Sequence, residues 1–308
     1  MGPEARANLS KARRIIVKLG TRALMGDDRD IDRAALSRRL EELLRARKEG
    51  RLVVLVSSGA IGLGWTRLGF SKRPVTMPEL QASASVGQSY LMKIYNELLA
   101  PMKLQAGQLL LTHEDFRDRR RYLNLRNCLV ALHEAGALPV INENDSVSVD
   151  EIRFGDNDIL AGLLSNAIDA DLTVLFSDVD GVYDGDTKLD IVEEVDGGLD
   201  RLVKKSTSGF GSGGMASKLS AARTTTASPT SKSPSQPVMP AGSSDLPLCR
   251  IAVSAPASTL SAPASLVEKA IHRFRCSIRS FEGRNRVPTG LPARMSSSVS
   301  VLPCATTI

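Results

Sequence analysis

The residue types best able to do chemistry in this 308-residue chain fall in four places. The densest runs from Asn142 to Leu160, NENDSVSVDEIRFGDNDIL, with Asn142-Glu143-Asn144-Asp145 and Asp156-Asn157-Asp158 on either side of Gly155. The others are Lys18-Leu19-Gly20-Thr21, Ser58-Gly59-Ala60, and Gly211-Ser212-Gly213-Gly214 leading to Lys218. Amides and carboxylates packed this closely are costly to bury without a polar partner. They are either a ligand or metal site or simply a turn rich in Asn and Asp. Glycines let backbone N–H groups approach phosphate oxygens, and a helix start adds partial positive charge. Two lysines at loop mouths could balance the charge on a transferring phosphoryl group, and nearby carboxylates could hold Mg²⁺ through oxygen. Each cue alone is weak. Together they point to phosphoryl transfer on an α/β sheet.

Other chemistries lack their residues. No nucleophile–His pair is present, and His113, His133 and His272 read as surface or packing residues. No G-x-x-x-x-G-K-[ST] loop occurs, and Asp178-Val179-Asp180-Gly181 lacks EF-hand spacing. Cys128, Cys249, Cys276 and Cys304 have no metal spacing, so reduced thiols are expected. No apolar run reaches the roughly 18 residues that span a bilayer. The N-terminus, MGPEARANLSKARR, lacks the apolar segment of a secretory signal, and Pro3 suits myristoylation poorly. A cytoplasmic location, without a membrane partner, is the expectation.

The elements that must position these residues alternate. Apolar runs predict buried strands at Arg14–Leu19, Leu52–Val56, Gly107–Leu111, Ala137–Ile141 and Leu172–Phe176. Helical spacing predicts helices over Ile31–Lys48, Ile61–Leu68, Glu79–Leu99 and Tyr122–Ala135, with others starting at Ile159 and Leu219. His113–Arg121 reads as a charged surface excursion. The pattern predicts a three-layer α/β sandwich around a mainly parallel sheet, with each polar cluster at the carboxyl end of a strand.

The character changes after Ala222. Residues 223–308 hold 16 Ser and 10 of the 15 Pro, but 3 of the 24 Gly. They also carry 10 Lys and Arg against 3 Asp and Glu, while residues 1–222 carry 30 against 31. The basic balance therefore belongs to the tail and does not argue that the main domain binds nucleic acid. Three parts are expected: a flexible 1–12, an ordered domain over 13–222 that is incomplete at its C-terminal end, and a low-complexity tail over 223–308. The tail is expected to be largely disordered, with one short helix near Leu266–Arg275. It is either a genuine tail or the product of a shifted reading frame near Arg223. RNA binding by the tail is a minor alternative.

Eight stretches resemble the amino acid kinase family, in family order and spacing: VKLGT (Val17–Thr21), SSGAIGLG (Ser57–Gly64), VGQS (Val86–Ser89), QLLLT (Gln108–Thr112), NENDSV (Asn142–Val147), GDND (Gly155–Asp158), SDVDGVY (Ser177–Tyr183) and GSGGMASK (Gly211–Lys218). Within that family they are most similar to the members that phosphorylate glutamate. The resemblance implies transfer of the γ-phosphoryl of ATP, with Mg²⁺, to the side-chain carboxylate of L-glutamate, in proline synthesis. That carboxylate is already ionised at neutral pH, which agrees with the missing His dyad.

The resemblance also assigns roles. Lys18 and Lys218 would contact the ATP phosphates, and Asp158 would orient both lysines. Gly20, Ser58 and Gly59 would line the substrate and phosphoryl site. Asn142, Asp145 and Asn157 would hold glutamate, with Asp145 on its α-amino group, and Asp156 would support the network. Ser177 and Asp178 would sit at the nucleotide, and Ser212, Gly213, Gly214, Met215, Ala216, Ser217 and Lys218 would cover it. No protein ligand to a metal is assigned. Lys218→Ala is expected to cut turnover well over tenfold and leave the fold intact. Proline as feedback inhibitor and a dimer or tetramer are further implications. Two departures stand out. Arg22 occupies a place where the family usually has a small residue, and would either crowd ATP or point to solvent. No match is found to the helix and strands that follow Ala222 in the family, which predicts an exposed sheet edge. The alternative is therefore an impaired relic that retains glutamate binding.

Overall fold

The structure is a computed structural model that describes residues 11–26, 30–148, 157–176, 182–184, 187–189, 192, 215–226, 250–254 and 301–302. Its frame is a parallel sheet. In chain order the strands are β1 (Arg14–Leu19), β2 (Leu52–Ser57), β3 (Ala106–Leu111), β4 (Leu138–Glu143), β5 (Leu172–Phe176), β8 (Arg250–Ser254) and β9 (Val301–Leu302). They lie in the spatial order β3-β4-β2-β1-β5-β8-β9, each pair parallel. A separate antiparallel pair joins β6 (Val182–Asp184) to β7 (Thr187–Leu189).

The helices are α1 (Thr21–Leu24), α2 (Arg33–Lys48), α3 (Ala60–Arg67), α4 (Met77–Leu99), α5 (Glu114–Arg117), α6 (Arg119–Glu134), α7 (Asn157–Ile168) and α8 (Met215–Thr226). Local chemistry starts two of them. The Asp32 carboxylate accepts from Ala35 N at 2.9 Å, and that of Asp118 from Arg121 N at 2.8 Å.

Strand alternation divides the core in two. Ile15, Val17, Leu19, Val53, Leu55, Val140 and Val174 face Leu36, Leu40 and Leu43 of α2 and Leu91, Ile94 and Tyr95 of α4. Ile16, Val54, Val56, Ile141 and Leu175 face Leu129 of α6, Leu160 and Leu164 of α7, and Leu219 of α8. Each such side chain is almost wholly buried and contributes roughly 1.5–3 kcal/mol. The expected three layers are present.

Several elements differ from the sequence reading; α8, for one, runs from Met215, four residues before the expected start at Leu219. β4 runs two residues further than the apolar run, so Asn142 and Glu143 are buried strand residues and not part of a following turn. α7 begins at Asn157, which places Asn157 and Asp158 in its first turn. Residues 250–254, for which no strand was expected, pair in parallel with β5 from Leu172↔Arg250 to Phe176↔Ser254, so β5 is not a bare edge. The surface excursion is the short α5 and the start of α6. The helix expected near 266–275 lies outside the described residues.

Candidate active site

Parallel strands bring their carboxyl ends to one edge, and the register aligns them. Lys18 lies beside Val56 and Leu175, and Leu19 beside Ser57 and Phe176. Side-chain direction then separates the groups. Lys18 has the parity of Ile16 and so faces α7 and α8. Ser57 and Asn142 have the parity of Leu55 and Val140 and face α4.

On the first face, Asp158 collects two ammonium groups. Lys18 Nζ lies 2.8 Å from Asp158 Oδ1, and Lys218 Nζ lies 3.1 Å from Asp158 Oδ2. Ser217 Oγ donates to Oδ2 at 3.0 Å. Asp158 is 0% exposed, Lys218 2% and Lys18 8%. Burial alone would push the Asp158 carboxyl up, but Lys18 and Lys218 outweigh it and hold it below its ordinary value. Its place in the first turn of α7 favours the ionised form too. Among the described residues the cluster joins two cations to one carboxylate, an arrangement that can attract an anion. Gly20 keeps it close-packed: a Cβ there would stand 3.3 Å from Lys18 Nζ.

On the second face, Asn157 Nδ2 lies 2.8 Å from Ser58 Oγ, 2.8 Å from Asn142 Oδ1 and 3.4 Å from the Ser57 carbonyl oxygen. Asn142 Nδ2 donates to Gln88 Oε1 at 2.9 Å, and Asn142 Oδ1 accepts from Glu143 N at 2.9 Å. Gly59 caps α3 with φ of +103°, a conformation that disfavours any side chain there. Adjacent residues Asn157 and Asp158 thus join an amide cluster to a charge cluster.

The structure therefore brings together Lys18, Gly20, Ser58, Gly59, Asn142, Asn157, Asp158, Ser217 and Lys218. Asp145 is half-buried in the turn after β4. Arg22 is exposed at the start of α1. Met215 and Ala216 begin α8. Asp156, Ser177, Asp178, Ser212, Gly213 and Gly214 lie outside the described residues. Among the described residues, no group of three or more His, Cys, Asp or Glu is placed to hold a metal ion, and no helix is long and apolar enough to cross a membrane.

Sequence reasoning missed two members. Gln88 of α4 is 7% exposed and bonds Asn142, and Tyr95 of α4 is fully buried with its hydroxyl 2.7 Å from Ser57 Oγ. Burial pushes the Tyr95 phenol up, against the Ser57 hydrogen bond and Arg39. The signal for Gln88 was a polar residue on the apolar stripe Ala84, Leu91, Tyr95 of α4. Its neighbour Gly87 lies where α3 and α4 touch at glycines. A Cβ on Gly64 would lie 1.7 Å from Ser83 O, and one on Gly87 1.7 Å from Ala60 O.

The sequence pattern described as the Amino acid kinase family matches residues 13–228. A glutamate 5-kinase of Myxococcus xanthus is 47% identical over 224 residues, covering 70% of this chain and 59% of that protein. One from Methylococcus capsulatus is 43% identical over 227 residues, covering 71% and 61%. The chain thus spans about three fifths of the length of the curated relatives it matches. Among solved structures, the Giardia carbamate kinase covers 68% of this chain and 87% of its own, at 16% identity and a TM-score of 0.45. The family match over most of the chain carries the conclusion that this protein belongs to the amino acid kinase family.

Proposed function

We propose that this chain transfers the γ-phosphoryl group of ATP to the side-chain carboxylate of L-glutamate, giving glutamyl 5-phosphate and ADP, the first step of proline synthesis. The observation that carries the reading is the pair of buried ammonium groups sharing one carboxylate, Lys18 and Lys218 on Asp158. The names of the relatives supply the acceptor.

The step forms a bond between a glutamate γ-carboxylate oxygen and the γ-phosphorus and breaks the bond to the β–γ bridging oxygen. No base is required, because the acceptor is ionised already. The protein's share is positioning and charge stabilisation. Lys18 and Lys218 fit a phosphate anion: both are buried cations, and among the described residues their Nζ atoms meet at one carboxylate, that of Asp158. Asp158 acts through the lysines as a positioning residue. Ser58, Gly59, Asn142, Asp145 and Asn157 hold glutamate. Gly20 and residues 212–218, with Ser177 and Asp178, serve the nucleotide. Mg²⁺ is proposed to arrive on the ATP phosphates and to neutralise their charge. Feedback by proline, a dimer or tetramer and a cytoplasmic location complete the proposal.

A second reading, an impaired relic that binds glutamate without turnover, is favoured by one observation: the family match ends at residue 228. The composition change near there supports a reading-frame shift, which sequencing the locus and translating the other frames would test. Absence of a foldable continuation in either frame removes the idea. The functional test is ADP release by the purified 308-residue chain. Release that requires both L-glutamate and Mg·ATP supports the kinase reading. Glutamate binding without ADP release overturns it in favour of the relic.

A further inference from the structure

One backbone hydrogen bond sets the polarity of three side-chain amides. The Glu143 N–H can only donate, so the Asn142 atom it meets at 2.9 Å is the oxygen. Asn142 must then turn its NH₂ to Gln88, which fixes Gln88 Oε1 as the acceptor at 2.9 Å and leaves Nε2 pointing away from it. Asn157, facing the same Asn142 oxygen at 2.8 Å and the Ser57 carbonyl oxygen at 3.4 Å, must present Nδ2 to them, which leaves its Oδ1 over. Among the described residues, both leftover atoms, Gln88 Nε2 and Asn157 Oδ1, are buried and have no hydrogen-bond partner, and Ser148 Oγ shares that condition. Gln88 and Asn157 are each 7% exposed and Ser148 4%. Buried polar atoms normally have partners, and two orphans on side chains that both bond Asn142 mark a place where a ligand could supply them.

The loop after β4 lies against this turn of α4. Ser146, next to Asp145, has its Oγ 2.8 Å from Ser85 Oγ, and Ser85 lies one helical turn before Gln88. Gln88 therefore stands between Asn142 and the Asp145 loop, on the sheet face opposite Lys18. A substrate whose phosphorylated end meets the lysines would turn its other end toward these amides. A leftover NH₂ suits an oxygen anion, and a leftover carbonyl suits an ammonium. The two together fit the α-carboxylate and α-ammonium of an amino acid.

We propose that Gln88 is a substrate-binding residue, its Nε2 donating to an α-carboxylate oxygen of the amino-acid substrate, in an orientation enforced through Asn142 by the Glu143 N–H. The inference rests on the amino-acid kinase reading above and extends it to the α end of the substrate.

The test uses the full chain and calorimetric binding of L-glutamate and of its analogue with an α-carboxamide, for wild type, Gln88→Met and Gln88→Glu. Thermal unfolding confirms that each variant is folded. Gln88→Met removes both hydrogen bonds, and at least tenfold weaker glutamate binding is expected. Gln88→Glu keeps an acceptor for Asn142 but replaces the donor with a negative charge. It is expected to weaken glutamate binding at least tenfold and to erase or reverse the wild-type preference for glutamate over the carboxamide. A merely structural Gln88 would leave that preference unchanged. Binding of glutamate by Gln88→Glu within twofold of wild type overturns the proposal, as does an unaltered preference. No glutamate binding by wild type overturns it as well. Wild-type binding without ADP release overturns the kinase reading alone, and the variants still decide the role of Gln88.

Discussion

Replacing Lys218 separates the charge it carries from the space it fills. Its side chain is 2% exposed, with Nζ 3.1 Å from Asp158 Oδ2. Lys218→Met keeps a stem of similar length and removes the charge. Asp158 retains Lys18 at 2.8 Å, so it is not left as an unpaired buried anion. The stability loss expected from the contact with Asp158 is that of one hydrogen bond between charged groups, about 1.5–3 kcal/mol, reduced because an ammonium no longer has to be buried. Lys218→Ala in addition removes three buried methylenes, at ~0.8 kcal/mol each, or about 2.4 kcal/mol more. The structure thus revises the expectation that the alanine variant leaves the fold intact, and makes methionine the informative change. If Lys218 stabilises the transferring phosphoryl group, its loss should resemble that of one preorganised electrostatic donor, about 2.7–4 kcal/mol, or roughly 10²–10³ in turnover. Glutamate-dependent ADP release at saturating substrates measures the rate, and thermal unfolding in the same buffer measures the fold. A folded Lys218→Met variant with turnover within threefold of wild type would refute the role of Lys218. Equal melting temperatures for the methionine and alanine variants would refute the packing argument.

Asp158→Asn leaves Lys18 and Lys218 without their shared counter-charge and is expected to lower stability by about 3–5 kcal/mol at neutral pH. The Asp158 carboxyl titrates below its ordinary 3.8, so its contribution is full above that value and is lost as pH falls through the depressed one. The gap between wild type and Asp158→Asn in chemical denaturation should therefore shrink below about pH 4, and a gap that stays constant to lower pH would remove the electrostatic explanation. Gly87→Ala puts a Cβ 1.7 Å from Ala60 O and must push α3 and α4 apart. A loss at or above the usual 1–3 kcal/mol of overpacking is expected, together with weaker glutamate binding because Gln88 moves; wild-type stability would contradict the close contact. A chain ending at Thr226 lacks β8 and exposes the β5 edge. It should melt lower and self-associate with rising concentration in light scattering, whereas an unchanged melt would show that the tail adds nothing to the sheet.

The buried strands were legible because a parallel strand covered on both faces is a continuous apolar run, as in Leu52–Val56 and Leu172–Phe176. The same rule hid the end of β4: Asn142 and Glu143 are strand residues that no apolar count includes. β8 escaped for a different reason. Its pairing partner, β5, begins 78 residues earlier at Leu172, and local composition around Arg250–Ser254 carries no trace of that pairing. Of the site, the residue types and their places at strand ends were readable in the chain, because glycine, lysine and Asn/Asp clusters are local features.

What the sequence determined unaided was the inventory: two lysines, one carboxylate-rich segment, and a set of strands whose carboxyl ends would carry them. That Lys18 and Lys218, 200 positions apart, share Asp158 was implied by the family resemblance but not derivable from the residues, because it depends on β1 lying between β2 and β5 and on α8 packing against α7. Only the tertiary structure showed which way the amides of Gln88, Asn142 and Asn157 turn. Periodicity encodes which face a side chain takes, and the order of strands and the direction of a hydrogen bond arise from contacts between segments that are remote in the chain.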